Sequence, residues 1–154
     1  MPRVSRRRTI AASPDQVWAL ISDPYSLPRW WPRTTRVESV ERKSAGRRSE
    51  WTKVLETSEG RGVRADFRCT SSAEGERYAW EQQLTGTPFE RHLGRSAVEI
   101  RLRPQTEKTE VTLTSDQRMK GLSRLGSPMM RRAQGATLED ALSGIEHALS
   151  GETA

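Results

Sequence analysis

Between Thr34 and Met119 the chain repeats one pattern: short stretches of alternating apolar and polar residues, separated by turn-forming triplets. The triplets are Ser44-Ala45-Gly46, Ser58-Glu59-Gly60, Ala73-Glu74-Gly75, Gly86-Thr87-Pro88 and Pro104-Gln105-Thr106. Alternation is clearest in four stretches: Val63, Ala65, Phe67 and Cys69; Tyr78, Trp80, Gln82 and Leu84; Ser96, Val98, Ile100 and Leu102; Val111, Leu113, Ser115 and Gln117. A period of two sends successive side chains to opposite faces of a strand, so each stretch has one buried and one wet face. Short turns between such stretches join antiparallel neighbours. The segment therefore predicts a meander of six antiparallel strands, with Gly94 marking a bulge in the fifth. Arg3 to Ala11, carrying Val, Ile and Thr, adds a seventh strand at an edge, with Arg on its exposed face.

Three helical segments flank or interrupt this meander. Ser13-Pro14-Asp15-Gln16 reads as a capping box: Ser13 is the N-cap, Pro14 suits the first helical position, and Gln16 reaches back to the cap amide. Val17, Leu20 and Ile21 form the apolar face with Trp18 beside it, and Pro24 ends the helix at about Asp23 after three turns. Ser26 to Pro32 is a second short piece bearing Trp30-Trp31, of which one indole packs inward and its neighbour covers a rim. From about Pro128 to Ser150 runs a long helix whose apolar stripe is Met129, Ala133, Ala136, Leu138, Leu142, Ile145 and Leu149. Leu122 and Leu125 lie in a preceding turn that also faces inward.

These elements make one α+β domain over residues 1–150, followed by a frayed tail at 151–154. Its plan is a seven-stranded curved antiparallel sheet wrapped around a long C-terminal helix, with two short helices between strands 1 and 2. One helix cannot fill a strongly curved sheet, so a space remains between them. The side chains expected to line it are Trp31, Phe67, Cys69, Tyr78, Trp80, Gln82, Ser96, Val98, Ser115 and Gln117, with Met119, Leu122, Leu125, Met129 and Ala133 at the helix end. Mostly apolar walls with a few polar groups suit a small-molecule site. The low hydrophobic content, 33%, accords with a sheet that is wet on one face and leaves part of its inner space unfilled.

Charge is plentiful but mixed. Twenty-six basic residues, 22 of them Arg, face 20 acidic ones, for a net +6 and a sequence pI near 10.2. Acids interleave with bases, as in Glu38, Glu41, Arg42 and Lys43, so the surface reads as solvated and mixed. The longest uninterrupted apolar run, Val17 to Ile21, is far too short to span a bilayer. The basic N-terminus lacks an apolar stretch behind it, which argues against a secretory signal. A single cysteine, Cys69, permits no internal disulfide framework and fits a reducing compartment, so the expected location is cytoplasmic.

Ser13-Pro14, Val17-Trp18, Asp23-Pro24 and Trp31-Pro32, in this order after a first strand, resemble the opening phrase of the START-like (SRPBCC) superfamily. The resemblance is to its polyketide cyclase/dehydrase and lipid-transport branch of small bacterial proteins. It covers the whole chain in architecture and about the first 32 residues plus the C-terminal helix in sequence. The resemblance implies a helix-grip fold and a hydrophobic or aromatic ligand held in a cavity under the long helix. It also implies, in some members, cyclisation or dehydration of a polyketide. The matching phrase carries no catalytic residue, and none is transferred.

The residues themselves supply few chemical groups. Of the two histidines, His147 falls on the helix surface, and His92 shares a parity with Gly94, Ser96 and Val98. His92 is thus the one weak candidate for general acid or base. Cys69 reads as a small buried hydrophobe rather than a nucleophile. No spacing suggests a metal site, and no motif calls for a cofactor. Gly60-Arg61-Gly62-Val63-Arg64-Ala65 has the letters of a dinucleotide loop, but strand-like sequence follows it, so it reads as a hairpin. Met119, Met129 and Met130 gather where the long helix begins, and Arg91 and Arg95 near the same end offer partners for an anionic group.

The favoured expectation is a protein that binds a hydrophobic or aromatic small molecule, polyketide-like or lipid-like, with or without turnover. The alternative is a module that binds a polyanion, RNA or an anionic membrane, through its basic surface. Homodimers occur among relatives of the fold, and no residue pattern here selects one.

Overall fold

The computed structural model describes residues 3–42, 49–56, 62–91, 93–120 and 127–151. Strand β1 (Arg3–Ile10) leads into helix α1 (Pro14–Ile21), a 3-10 turn (Pro24–Ser26) and a short helix α2 (Leu27–Trp30). Strands β2 (Thr34–Arg42), β3 (Ser49–Glu56), β4 (Gly62–Ala73), β5 (Arg77–Gln82), β6 (Leu93–Gln105) and β7 (Lys108–Met119) follow, and then helix α3 (Ser127–Gly151). All seven strands form one antiparallel sheet in the order β1-β7-β6-β5-β4-β3-β2. The meander is thus as expected, and the first strand joins it beside the last.

Strands β4 to β7 bury the parity read from their sequence, although Leu84 lies beyond the end of β5. Ala65, Phe67 and Cys69 on β4, Tyr78 and Trp80 on β5, Ser96, Val98, Ile100 and Leu102 on β6, and Val111, Leu113 and Ser115 on β7 are all buried. Gly94 sits at a register shift between Leu93 and Arg95, the expected bulge. The last hairpin differs from expectation. Pro104 and Gln105 remain in the ladder opposite Thr109 and Lys108, and the turn is left to Thr106 and Glu107, the latter at a φ of 58°.

Helix α1 starts with the capping box: Ser13 Oγ accepts from the Gln16 amide at 3.3 Å, and Gln16 Oε1 accepts from the Ser13 amide at 3.0 Å. It ends at Ile21, earlier than expected. Asp23 does not terminate α1 but caps the following turn, its carboxylate accepting from the Tyr25 amide at 3.0 Å. Val17, Leu20 and Ile21 are almost fully buried, each contributing about 1.5–3 kcal/mol through its removal from water.

Helix α3 lies across the sheet and touches β1, β7 and α2. Its buried face is Gln134, Leu138, Ala141, Leu142, Ile145 and Leu149. The expected stripe is correct from Leu138 onward and is not buried before it. Met129 is 79% exposed, and Ala136 is exposed as well, while Ala133 is exposed at the edge of the space under the helix. Stepping back from Leu138 at 3.6 residues per turn, the inward position is Gln134, a polar residue passed over by a search for apolar letters.

Two contacts seat this helix. A Cβ at Gly144 would overlap the main-chain carbonyl of Trp30, so α3 and α2 meet backbone against side chain-free backbone. At the sheet edge, Arg8 spans three acceptors on one helix face: Glu146 Oε1 at 2.6 Å, Glu139 Oε2 at 2.8 Å and Ser143 Oγ at 2.9 Å. The hydrogen bond to Glu146, with a smaller one to Glu139, holds the Arg8 guanidinium above its ordinary pKa. The expectation that the arginines of β1 lie on its exposed face holds for Arg6 and Arg7 and is corrected for Arg8, which is half-buried. Arg8 shares the parity of buried Val4 and Ile10, and an edge position lets its long side chain reach the helix.

Gly144→Ala should lower the melting temperature, equivalent to about 1–3 kcal/mol, although alanine favours helix by about 1 kcal/mol. A neutral or higher melting temperature would show that α2 is not in contact there. Arg8→Gln should cost about 1 kcal/mol in denaturant unfolding, with the difference shrinking at high salt, since all three partners are partly wet.

Candidate functional site

Adjacent cross-strand rows on the inner face of the sheet place the side chains that matter. One row runs Cys69, Trp80, Val98, Ser115 and Val4. The next pairs Phe67 with Gln82 and Ser96 with Gln117. Above them lies the N-terminal half of α3. The C-terminal half is held down by the contacts at Gly144 and Arg8, and the N-terminal half spans a cavity of about 320 Å³. That is at the low end for a small-molecule site.

The floor of the cavity is Phe67, Trp80, Gln82, Leu93, Ser96, Val98, Ser115 and Gln117, and Trp31 forms one side. Its roof is Met130, Ala133, Gln134, Thr137 and Leu138 of α3. Trp80 anchors an aromatic cluster behind the floor. It meets Trp30, Trp31, Trp51 and Tyr78 edge to face, with centroids 5.4–6.2 Å apart. Trp51 in turn stacks on Phe67 at 6.1 Å, and Trp18 closes on Tyr78 at 6.0 Å. Trp30 is buried and Trp31 half-buried on the cavity side, the division expected for adjacent indoles. Such pairs add about 0.5–1.5 kcal/mol each beyond simple burial, so this wall is stiff.

Polar groups cross the cavity as a ladder. Gln117 Nε2 donates to Ser96 Oγ at 3.3 Å, and Gln134 Nε2 on the helix donates to Gln117 Oε1 at 2.9 Å. Gln134 Oε1 is buried and has no partner among the described residues. None of the lining side chains named above is acidic, basic or otherwise titratable near neutral pH.

Nine of the residues expected at the site line this cavity: Trp31, Phe67, Trp80, Gln82, Ser96, Val98, Ser115, Gln117 and Ala133. Cys69 and Tyr78 are buried deeper, the Cys69 thiol donating to the Ser71 carbonyl at 3.4 Å. Met119 is half-buried at the end of β7, and Met129 points to solvent, so Met130 takes the roof position. His92, Leu122 and Leu125 lie outside the described residues. Arg95 is turned to the outer face, 3.3 Å from Asp116, and Arg91 is exposed. Gly62 onward is strand β4, as expected for the dinucleotide-like letters. Sequence reasoning missed Leu93, Gln134 and Thr137 at the site, while Leu138 was read into the helix stripe and Met130 into the methionine group at its start. A strict helical period drawn back from Leu138 points to Gln134 and Met130 on the same face.

A wider groove of about 440 Å³ lies on the opposite face of the sheet. Its charges already answer one another: Arg3 and Arg95 pair with Asp116, and Arg101 with Glu99. Elsewhere on the surface Arg36 and, more weakly, Arg64 hold the Glu38 carboxyl below the usual carboxylate range. Among the described residues, no group of three or more His, Cys, Asp or Glu could hold a metal ion, and no helix is long and apolar enough to cross a membrane.

No curated protein matches the chain. Solved structures do. A START superfamily protein from Mycobacterium smegmatis superposes with a TM-score of 0.80 at 20% identity, over 97% of this chain and 97% of that one. A protein from Thermus thermophilus gives 0.78 at 20%, over 99% and 100%. The Zhui aromatase/cyclase of a Streptomyces species gives 0.71 at 20%, over 97% and 92%. At such identity these likenesses concern the fold. A family model described as polyketide cyclase/dehydrase and lipid transport matches residues 1–149, and the chain, with its helix-grip fold of seven curled strands around α3, therefore belongs to that family.

Proposed function

We propose that this protein binds a flat hydrophobic or aromatic molecule, polyketide-like or lipid-like, in the cavity between the sheet and the N-terminal half of α3. One observation carries the reading: the cavity has rigid aromatic walls, a short polar ladder and, among the described residues, no charged lining side chain. Aromatic walls favour flat ligands through offset and edge contacts. A site without charges favours a neutral ligand, because a charge brought there would lose its hydration with no partner to replace it. Among the described lining residues none exchanges protons near neutral pH, which supports binding over acid–base turnover by them. The family and the aromatase/cyclase likeness agree with this class of ligand. The polyanion alternative has less support, since Arg3, Arg36, Arg64, Arg95 and Arg101 each pair with a neighbouring carboxylate.

A thermal-shift and calorimetry screen with naphthalene, anthraquinone and palmitate tests the proposal. A ligand at a hundred times its Kd should stabilise the fold by about 2.7 kcal/mol, a rise of several degrees. Failure of all such compounds to shift the transition would remove it. Trp80→Ala should weaken binding more than His92→Ala does, and Trp31→Ala gives a rim variant with a smaller effect on stability. Affinity for a neutral ligand should stay flat between about pH 6 and pH 9. The reverse mutational order, or a bell-shaped pH profile, would favour an acid–base enzyme.

A further inference from the structure

We propose that Gln134 selects, among hydrophobic molecules of a given shape, those that carry a hydrogen-bond donor such as a hydroxyl group. The inference rests on the cavity reading above and adds the chemical class of the occupant. Gln134 is 5% exposed and sits in the roof, on a helix face otherwise made of Leu138, Ala141, Leu142 and Ile145. Its side chain is held by one end only. Nε2 donates to Gln117 Oε1 at 2.9 Å, and Gln117 is fixed in turn by its own bond to Ser96. The ladder therefore runs in one direction, from the helix amide to the sheet hydroxyl, and leaves its last acceptor, Gln134 Oε1, buried and unpaired.

A buried acceptor without a donor is uncommon in folded proteins and costs stability. Among the other roof residues only Thr137 carries a side-chain donor, and its hydroxyl does not reach Gln134 Oε1. A donor can instead arrive with the occupant of the cavity that Gln134 lines. The terminal torsion of a glutamine is soft, so a small turn that keeps Nε2 near Gln117 Oε1 can bring the carbonyl toward a donor on the cavity side. The gain is made only by a ligand with an O–H or N–H. An ether or a hydrocarbon of the same shape leaves the acceptor unpaired.

Three probes of one shape separate these cases: naphthalene, 2-naphthol and 2-methoxynaphthalene, titrated calorimetrically at pH 7. Without an acceptor in the site, 2-naphthol should bind no better than naphthalene, because its hydroxyl must leave water. The wild-type protein should instead bind 2-naphthol roughly tenfold more tightly than either other probe. Gln134→Met, which keeps the length and apolar stem, should retain naphthalene binding and lose that preference. Gln134→Leu serves if the methionine variant does not fold. Equal affinity for naphthalene and 2-naphthol in the wild type, or a preference that survives in the Gln134 variants, would overturn this inference alone. Binding of none of the three would overturn it together with the cavity reading.

Discussion

Most of the molecule depends on how α3 is seated. A helix laid on a curled sheet touches it along a line, and the depth of contact is set by whatever side chain stands in between. At Gly144 nothing stands in between, so the helix backbone comes down onto the carbonyl of Trp30. Arg8 then ties the same half of the helix to the edge strand through Glu139, Ser143 and Glu146. With one half clamped, the straightness of an α-helix determines where the other half lies. It stands above the inner rows of β4 to β7, and the cavity is the gap that results.

What fills the remaining inner space explains the size of that gap. Trp30, Trp51, Tyr78 and Trp80 pack into the part of the concave face nearest α2. The space they leave is short, with indole and phenyl walls at one end and the amide ladder under the roof. Rigid aromatic packing and a fixed helix together make a preformed site, in which little ordering remains to oppose binding. The outer face of the sheet is different in kind. It is a mixed-charge surface on which Arg36 and Arg64 pair with Glu38, and Arg101 with Glu99.

Much of this could be read from the chain. Period-two alternation in β4 to β7 identifies the buried parity because one face must be apolar and a slip of one residue would invert it. Ser13 and Gln16 are legible because capping is local. Three features are not. Gln134 occupies an inward position through a bond to Gln117, 17 residues away in sequence, and no local pattern separates it from a surface glutamine. Gly144 is required by the crossing of a second helix, which the sequence of α3 does not contain. Arg8 faces inward because an edge strand lies within reach of the helix, and hydropathy assigns any arginine to water. Each missed residue owes its place to a partner distant in sequence.

The aromatic cluster has an optical consequence. Every one of the five tryptophans in the chain belongs to a single connected set of ring contacts, through Trp18–Tyr78, Trp30–Trp31 and the neighbours of Trp80. Indoles held at steep mutual angles and about two ring-widths apart couple their electronic transitions. The near-ultraviolet circular dichroism of this protein is then the signature of one place. It reports the packing beside the cavity, with no tryptophan elsewhere in the chain to dilute it.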